Sequence, residues 1–279
     1  MFTIALVIAY EGTNFSGWQR QAGERTVQGC LEDALGRINN APTEVRGASR
    51  TDAGVHAEYQ IAAFDTDRPY EPERFRIALN ALTPPEIMIR HACYVPEGFN
   101  PRFESRGKHY RYLLFEGKYL PPSLLHHAAH VRPLDVGNMR EAAKHLLGEH
   151  DFSAFRASDC QAKSPVRTIT RLDIEAVSGP YVYPCFEKDA LIQIDVEGTA
   201  FLKQMVRIIV GTLIDFGLGR PASEMAQILA SGKRALAGQT APADGLTLVR
   251  SFSTLDDMIF GASGADEFIR EGQTARREP

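Results

Sequence analysis

The chain has 279 residues, of which 44% are hydrophobic and 24% charged, a composition typical of a folded globular protein. At roughly 150 residues per domain, this length fits two domains or two lobes that share a core. The formal net charge of −4 argues against a protein that coats nucleic acid non-specifically. No run of about 18 apolar residues is present to span a bilayer. The N-terminus lacks the basic flank and cleavage site of a signal peptide, so we expect a cytoplasmic protein.

The first half of the chain has the spacing of a β-α-β-β-α-β unit. Alternation of bulky and small residues from Phe2 to Tyr10 predicts a strand. Apolar residues three and four positions apart predict an amphipathic helix after Thr26, which is a suitable N-cap. The remaining predicted elements are strands at 44–47, 60–64 and 87–94 and a helix at 71–82.

The second half repeats this order. Its predicted strands are 110–115, 166–177, 190–196 and 246–252, and its predicted helices are 136–147, 201–216 and 223–229. Two such units predict an α+β fold with two ferredoxin-like (split β-α-β) lobes, mainly antiparallel sheets flanked by helices, and an active-site cleft between the lobes. We expect an N-terminal lobe at 1–103, a C-terminal lobe at 104–260 and a mobile charged tail at 261–279.

A polar motif, Arg-Thr-Asp-Ala-Gly-Val-His at 50–56, lies between two predicted strands. A bend made by Asp52 and Gly54 would account for these residue types without any chemistry. The functional interpretation is that Arg50 lies on the same side of an extended backbone as Asp52. Because a neighbouring arginine favours the charged form of a carboxylate, Asp52 then suits a nucleophile or base. We interpret His56 as a hydrogen-bonded structural residue.

Basic and aromatic residues alternate along the strand that contains Tyr110. Alternation puts Tyr110 and Tyr112 on one face of this strand and His109 and Arg111 on the other. Aromatic rings that stack on bases, beside cations that hold phosphates, are typical of proteins that bind unpaired nucleotides. A packed tyrosine pair with a solvated basic face is the alternative.

Cations outnumber acids between residues 99 and 111, where only Glu104 opposes Arg102, Arg106, Lys108 and Arg111.

The predicted helix from Phe201 to Phe216 is apolar on almost every side, which indicates that it is buried. A buried arginine without a partner costs considerable free energy. We therefore expect Arg207 to face Asp52, a substrate phosphate or a wet cleft, unless it extends along the helix surface into solvent.

Two further clusters are weak signals for bound groups. His126 and His130 have the spacing of a zinc-protease helix, but His127 stands where that motif needs glutamate. The cysteines form no Cys-x-x-Cys pair. The early glycines match neither a P-loop nor a dinucleotide motif. We therefore expect no metal and no nucleotide cofactor.

Five motifs stand out in chain order: Tyr10-Glu11-Gly12 with Gly17-Trp18-Gln19-Arg20-Gln21, Arg50 to His56, Tyr110-Arg111-Tyr112, Met205-Val206-Arg207, and Thr240 to Ala243 with Gly245-Leu246. Together they resemble the motifs of the TruA-type tRNA pseudouridine synthases, over about Thr3 to Phe252. Ser49 departs from the glycine that the family usually has before the arginine.

The resemblance implies an enzyme that converts uridine to pseudouridine at positions 38, 39 and 40 of the tRNA anticodon stem-loop. It also implies a homodimer that needs no cofactor or metal. By the family's pattern, Asp52 is the nucleophile, Arg50 its ion-pair partner and Arg207 a second cation near it. Tyr110 stacks on the target base and is a candidate for the base at C5, and Leu246 packs against the target. The expected phosphate contacts on the basic strand are Arg106, Lys108 and Arg111.

The residues alone leave several alternatives open. Asp52 could add to the sugar, add to the ring or remove a sugar proton. An RNA-binding or tRNA-chaperoning module would act by binding alone and would keep its effect without the Asp52 carboxylate. A metal-dependent hydrolase built on the histidine cluster would contain zinc and lose activity with a chelator.

Overall fold

The computed structural model describes residues 1–177, 190–256 and 259 of the chain. The predicted tail at 261–279 lies outside the described residues. Within the described ranges, none of the helices has the length and hydropathy that a bilayer-spanning segment requires.

In the part of the chain that the structure describes, the strands form one 10-stranded sheet that is mostly antiparallel. They are β1 (Phe2–Tyr10), β2 (Arg46–Gly47), β3 (His56–Thr66), β4 (Ile87–Val95), β5 (Ser105–Glu116), β6 (Ala129–Val131), β7 (Gly148–Asp151), β8 (Val166–Val177), β9 (Ala190–Gly198) and β10 (Leu246–Ser253). Their order across the sheet is β4-β1-β3-β10-β5-β9-β8-β7, with β2 beside β3 and β6 beside β5.

Helices pack on one face of this sheet and enclose the main hydrophobic core. They are α1 (Val27–Asn39), α2 (Pro72–Leu82), α3 (Val136–Lys144), α4 (Met205–Gly217) and α5 (Glu224–Ser231). The predicted α+β class, with a mainly antiparallel sheet flanked by helices, is confirmed. The two halves share one continuous sheet rather than two separate ones, and the domain division at 103/104 stays a prediction.

Local sequence explains the first two elements. Along β1, the large residues Ile4 and Leu6 enter the helix-side core, while Ala5 and Val7 belong to a smaller cluster on the other face. The side chain of Thr26 caps α1 by accepting a hydrogen bond of 3.2 Å from the Gly29 N–H. Both predictions for this region are confirmed.

Strand β10 joins the two halves of the molecule. It runs parallel to β3, with Thr247 beside His56, and antiparallel to β5, with Leu246 beside Tyr112. Residues near the C-terminal end of the described chain therefore lie between the strand that follows the 50–56 motif and the strand that carries Tyr110. This arrangement brings the sequence motifs of both halves to one place.

Helix α4 begins later than the predicted Phe201 because tertiary contacts hold the preceding residues in other conformations. Gln204 has a left-handed backbone with φ 60°. Lys203 forms an ion pair of 2.5 Å with Asp159, and the Phe201 ring packs edge-on against Tyr110 at 5.3 Å. The strand predicted at 44–47 is reduced to β2, and the short strands β6 and β7 were not predicted.

A buried polar cluster holds the residues after β10 against the opposite face of the sheet. The Tyr59 hydroxyl donates to Asp256 Oδ1 at 3.0 Å, and Arg250 Nη2 lies 3.1 Å from the same oxygen. The Ser253 N–H donates to Asp256 Oδ2 at 3.0 Å. Leu255 packs into the smaller hydrophobic cluster. The residues after β10 therefore cover part of the face opposite the helices.

Candidate active site

Close backbone approaches position the loop that carries Asp52. The Trp18 N–H donates to the Thr51 carbonyl at 3.1 Å, and the Gly54 N–H donates to the Phe15 carbonyl at 3.2 Å. Gly17 has φ +90°, and a Cβ added there would lie 2.6 Å from the Thr51 oxygen. Only glycine accommodates both the conformation and the contact. The 12–18 loop therefore supports the Asp52 loop directly.

The motif contains a real turn, but the Asp52 carboxylate is not used to make it. Gly54 supplies a positive φ of 80°, and the Val55 N–H donates to the Asp52 carbonyl at 3.2 Å. Among the described non-glycine residues, only Asn40 and Gln204 have a positive φ. Ser49 therefore replaces the family's usual glycine without backbone strain.

Arg207 is the cation that meets Asp52. Its Nη1 lies 3.2 Å from Asp52 Oδ2, and its Nε donates to the Ala241 carbonyl at 2.8 Å. The Ala241 N–H donates in turn to the Arg207 carbonyl at 3.1 Å. The Arg207 side chain is 15% exposed and that of Asp52 is 24% exposed. The expected carboxylate partner of Arg207 is therefore present, and its guanidinium is held at two points.

The structure corrects the expected ion pair between Arg50 and Asp52. Arg50 is exposed and forms no ion pair with a carboxylate of the described residues. Residues 49–55 are not in a strand, so the rule that residues two apart share a side does not apply. Asp52 enters a turn and points toward α4, whereas Arg50 remains at the surface.

Tyr110 lies on the helix side of β5, near the Asp52–Arg207 pair. It is 8% exposed. Burial raises the pKa of the Tyr110 phenol, and the charge of Asp52 raises this pKa further. The phenol is therefore neutral at neutral pH, a state that favours stacking on a base over removal of a proton. The effect of Asp52 on this pKa also indicates that the two side chains are close.

Leu246 is buried where the chain enters β10, beside Tyr112. The Tyr112 hydroxyl donates to the Pro242 carbonyl at 2.8 Å. A Cβ on Gly245 would lie 2.5 Å from the Tyr112 ring. Tyr112 therefore anchors the 240–245 loop, whose Ala241 carbonyl holds Arg207. The sequence analysis considered base stacking and packing for Tyr112, and it did not predict this contact.

His56 links three segments around the site. Its Nδ1 accepts a hydrogen bond of 3.0 Å from the Gly12 N–H, and its Nε2 lies 3.1 Å from the Asp244 carbonyl. These partners assign the neutral form with the proton on Nε2. Burial, followed by the neighbouring His127, lowers the pKa of His56, although the charge of Glu11 opposes this shift. The structural interpretation of His56 is confirmed.

The basic residues of β5 separate between the two faces of the sheet. Lys108 is half-buried on the face of Tyr110, and Arg106 is exposed two residues before it. Arg111 is on the opposite face, where its Nε lies 3.0 Å from Asp195 Oδ1. The expectation that Arg111 faces RNA phosphates is corrected, because Asp195 neutralises its charge away from the crevice.

The described residues contain no group of three or more histidine, cysteine or acidic side chains that could hold a metal ion. The His127 ring packs against His56 with centroids 4.8 Å apart. His130 Nε2 lies 2.7 Å from the Gly117 carbonyl. The arrangement of these histidines gives no support to a zinc hydrolase.

Comparison with known proteins decides the family. The model of the tRNA pseudouridine synthase family matches residues 6–104 and 142–252. The chain belongs to this family. tRNA pseudouridine synthase A of Myxococcus xanthus is 47% identical over 251 residues, which cover 89% of this chain and 91% of that protein. The Geobacter sulfurreducens enzyme of the same name is 42% identical over 250 residues, with 89% and 98% covered.

Membership of the tRNA pseudouridine synthase family makes the protein an isomerase that converts uridine to pseudouridine in tRNA. The family model does not match residues 105–141. Asp52, Arg207 and Leu246 lie inside the matched ranges, and Tyr110 lies between them. The argument for Tyr110 therefore comes from its burial and from the action of the Asp52 charge on its phenol.

We expect Arg207→Lys to reduce kcat for pseudouridine formation by about a hundredfold, because misplacement of a reacting group by about 1 Å has an effect of this size. Lysine keeps the charge but cannot hold the Ala241 carbonyl and Asp52 through two fixed donors. Steady-state kinetics with a tRNA transcript measure this, and the exposed Arg132→Lys is the control. An unchanged kcat would show that the guanidinium geometry does not matter.

We expect the unfolding free energy to fall as the pH drops below about 6.5, the ordinary pKa of histidine. The pKa of His56 is lower in the folded protein, so the unfolded chain takes up its proton first and acid favours unfolding. Urea unfolding between pH 7.5 and pH 5 measures this effect. His56→Gln should show a flatter dependence, while the exposed His91→Gln should follow the wild-type protein. Equal slopes for wild type and His56→Gln would contradict the neutral assignment.

Proposed function

We propose that the protein forms pseudouridine at positions 38, 39 and 40 of the tRNA anticodon stem-loop, with Asp52 as the nucleophile. The single observation that carries the proposal is the ion pair between Asp52 and Arg207, whose carboxylate charge also acts on the buried Tyr110 phenol. The sequence resemblance supports the choice of tRNA positions. The carboxylate is the reactive group that this crevice offers to a uridine.

The chemistry of the reaction supports a mechanism without a cofactor. The C1′–N1 bond of uridine breaks and a C1′–C5 bond forms, while N1 gains a proton and C5 loses one. Substrate and product have the same atoms and the same oxidation state, so neither a redox group nor a co-substrate is consumed. Each of the three possible roles of Asp52 begins at its carboxylate oxygen, which Arg207 holds in position.

The other residues of the crevice take binding roles in this proposal. Tyr110, kept neutral by its raised pKa, presents its ring to the target base. Leu246 adds apolar surface that helps to exclude water from the detached uracil. Arg50 is exposed beside Asp52, and we assign its guanidinium to the RNA backbone rather than to the carboxylate.

Partial burial of Asp52 and Tyr110 supports recognition of a nucleotide that has left the stem. A base inside a duplex cannot reach these side chains, so the nucleotide must be flipped out. Flipping costs a few kcal/mol of stacking and pairing. Contacts from Arg106 and Lys108 to phosphates would offset this cost.

We also place the enzyme in the cytoplasm, together with its tRNA substrate.

The homodimer implied by the family resemblance is part of the proposal. We expect sedimentation equilibrium at micromolar concentration to give twice the chain mass of 30.9 kDa. A mass of one chain across that range would contradict the dimer but would leave the assignment of Asp52 intact.

We expect Asp52→Asn to reduce pseudouridine formation by at least about a thousandfold, a loss typical of removal of a central reacting group. The variant retains the size of the side chain and should bind tRNA nearly as tightly as the wild type. Mapping of pseudouridine in a tRNA transcript measures the product at positions 38 to 40, and a filter-binding assay measures affinity.

The exposed Asp67→Asn provides the control for this experiment. Product formation by Asp52→Asn at the wild-type rate would overturn the nucleophile. Product at other tRNA positions with the wild-type enzyme would overturn the proposed specificity. A tRNA chaperone would keep its effect in Asp52→Asn, whereas an isomerase would keep only its affinity for tRNA.

A further inference from the structure

Three cations from separate parts of the chain meet beside the crevice. Lys108 lies on β5, Arg102 on the segment before β5, and Arg167 near the start of β8. Lys108 is opposite Gly198 on β9, and Gly198 is opposite Ile169 on β8, two residues from Arg167 and on the same face. The positive charges of Arg102 and Arg167 both act on the Lys108 ammonium. No carboxylate of the described residues forms an ion pair with any of the three. Within the described residues, positive charge is therefore concentrated here without a carboxylate paired to it.

This cluster lies on the same side of the sheet as the proposed nucleophile. Lys108 and Tyr110 are two residues apart on one face of β5, a separation of about 7 Å along a strand. Lys108 is directly opposite Ser251 on β10, and the Ser251 hydroxyl lies 3.5 Å from that of Ser49. Ser49 immediately precedes Arg50. The cluster is therefore a direct neighbour of the Asp52 loop.

The donors of the cluster are only partly satisfied. Arg167 Nη1 donates to the carbonyls of Ser164 and Val166, at 3.0 and 2.5 Å. Its Nε is buried and has no hydrogen-bond partner. Lys108 Nζ makes one long contact of 3.4 Å, to the Ser105 hydroxyl. Two of the three side chains thus retain donors for an acceptor that comes from outside the chain.

Burial makes this arrangement unfavourable in the free protein. Loss of solvent around the ammonium, followed by the charges of Arg102 and Arg167, lowers the pKa of Lys108 to about 8. A purely structural lysine would be placed beside a carboxylate or in solvent. An anion bound among the three cations would remove the repulsion and complete the hydrogen bonds.

We propose that Lys108, Arg102 and Arg167 form a binding site for one backbone phosphate of the substrate RNA, next to the nucleotide that enters the Asp52 crevice. The inference rests on the proposed function, because it is the RNA substrate that supplies the phosphate. The site fixes the position of the backbone on one side of the flipped nucleotide. It replaces Arg111, which lies on the opposite face of β5, with two arginines. Arg102 belongs to the basic stretch noted in the sequence, whereas the sequence pattern did not select Arg167.

The site can be tested with synthetic anticodon stem-loop RNAs in which one phosphate at a time is an uncharged methylphosphonate. We expect the wild-type enzyme to lose about tenfold in affinity at one phosphate beside the target, since a hydrogen bond to a charged group has an effect of this order. Lys108→Gln should bind the unmodified RNA about tenfold more weakly and should lose nothing more at that same phosphate. Lys144→Gln, on the outer surface of α3, is the control.

The site would be overturned if Lys108→Gln lost as much affinity as the wild type does at every methylphosphonate position. The effects of the protein and RNA changes would then be independent, which would show that no single phosphate contacts Lys108. Product mapping with the unmodified RNA separates this proposal from the proposed function. If the wild-type enzyme makes pseudouridine but the losses are independent, only the phosphate site fails. If no pseudouridine is made while the coupling at one phosphate persists, the proposed reaction fails and the phosphate site stands.

Thermal unfolding of the free protein distinguishes a binding role from a structural one. Lys108→Met keeps the length of the side chain and removes its charge, so we expect the Tm to rise, by a few degrees, while RNA affinity falls. Above pH 8 the Tm of the wild type should approach that of the variant, because Lys108 loses its proton in the folded state before it does so in the unfolded chain. A lower Tm for Lys108→Met at pH 7 would indicate a structural lysine and overturn the proposal.

Discussion

The ion pair between Asp52 and Arg207 is the interaction on which the rest of the site depends. It joins residues 155 positions apart in the sequence, one from each half of the chain. Arg207 is itself held by the Ala241 carbonyl, and the Asp52 loop is held by the 12–18 segment. The Asp52–Arg207 pair therefore forms only when the two halves of the chain are packed together. Continuity of that sheet through β10 is a functional requirement as well as a structural one.

Strand β5 separates two kinds of electrostatics by the alternation of its side chains. Tyr110 and Lys108 face the crevice, where positive charge is left unbalanced. Arg111 and His109 face the other side, where both contact Asp195. Burial alone would raise the pKa of Asp195, but His109 and Arg111 lower it to about 2. One face of the strand is thus neutralised within the protein, while the other retains charge for a negatively charged substrate.

The turn at Asp52 shows how a structural and a catalytic interpretation can both be correct. Gly54 and the Asp52 carbonyl form the bend, and His56 ties its end to Gly12 and to the 240–245 loop. These contacts use the backbone of Asp52 and leave its carboxylate for Arg207. The neutral state of His56 is part of this design, because only an unprotonated Nδ1 accepts the Gly12 N–H. Rigidity of the loop fixes the direction of the carboxylate.

The amino-acid sequence by itself determined the α+β class, the positions of most helices and strands, and the candidates Asp52, Tyr110 and Arg207, because periodicity and motif chemistry are local properties. Only the tertiary structure decided that Arg207 rather than Arg50 meets Asp52, and that Arg111 faces Asp195. It also decided that α4 begins at Met205, after contacts of Phe201 and Lys203. These outcomes depend on which residues distant in sequence become neighbours, and alternation along one strand carries no information about the strand or helix packed against it.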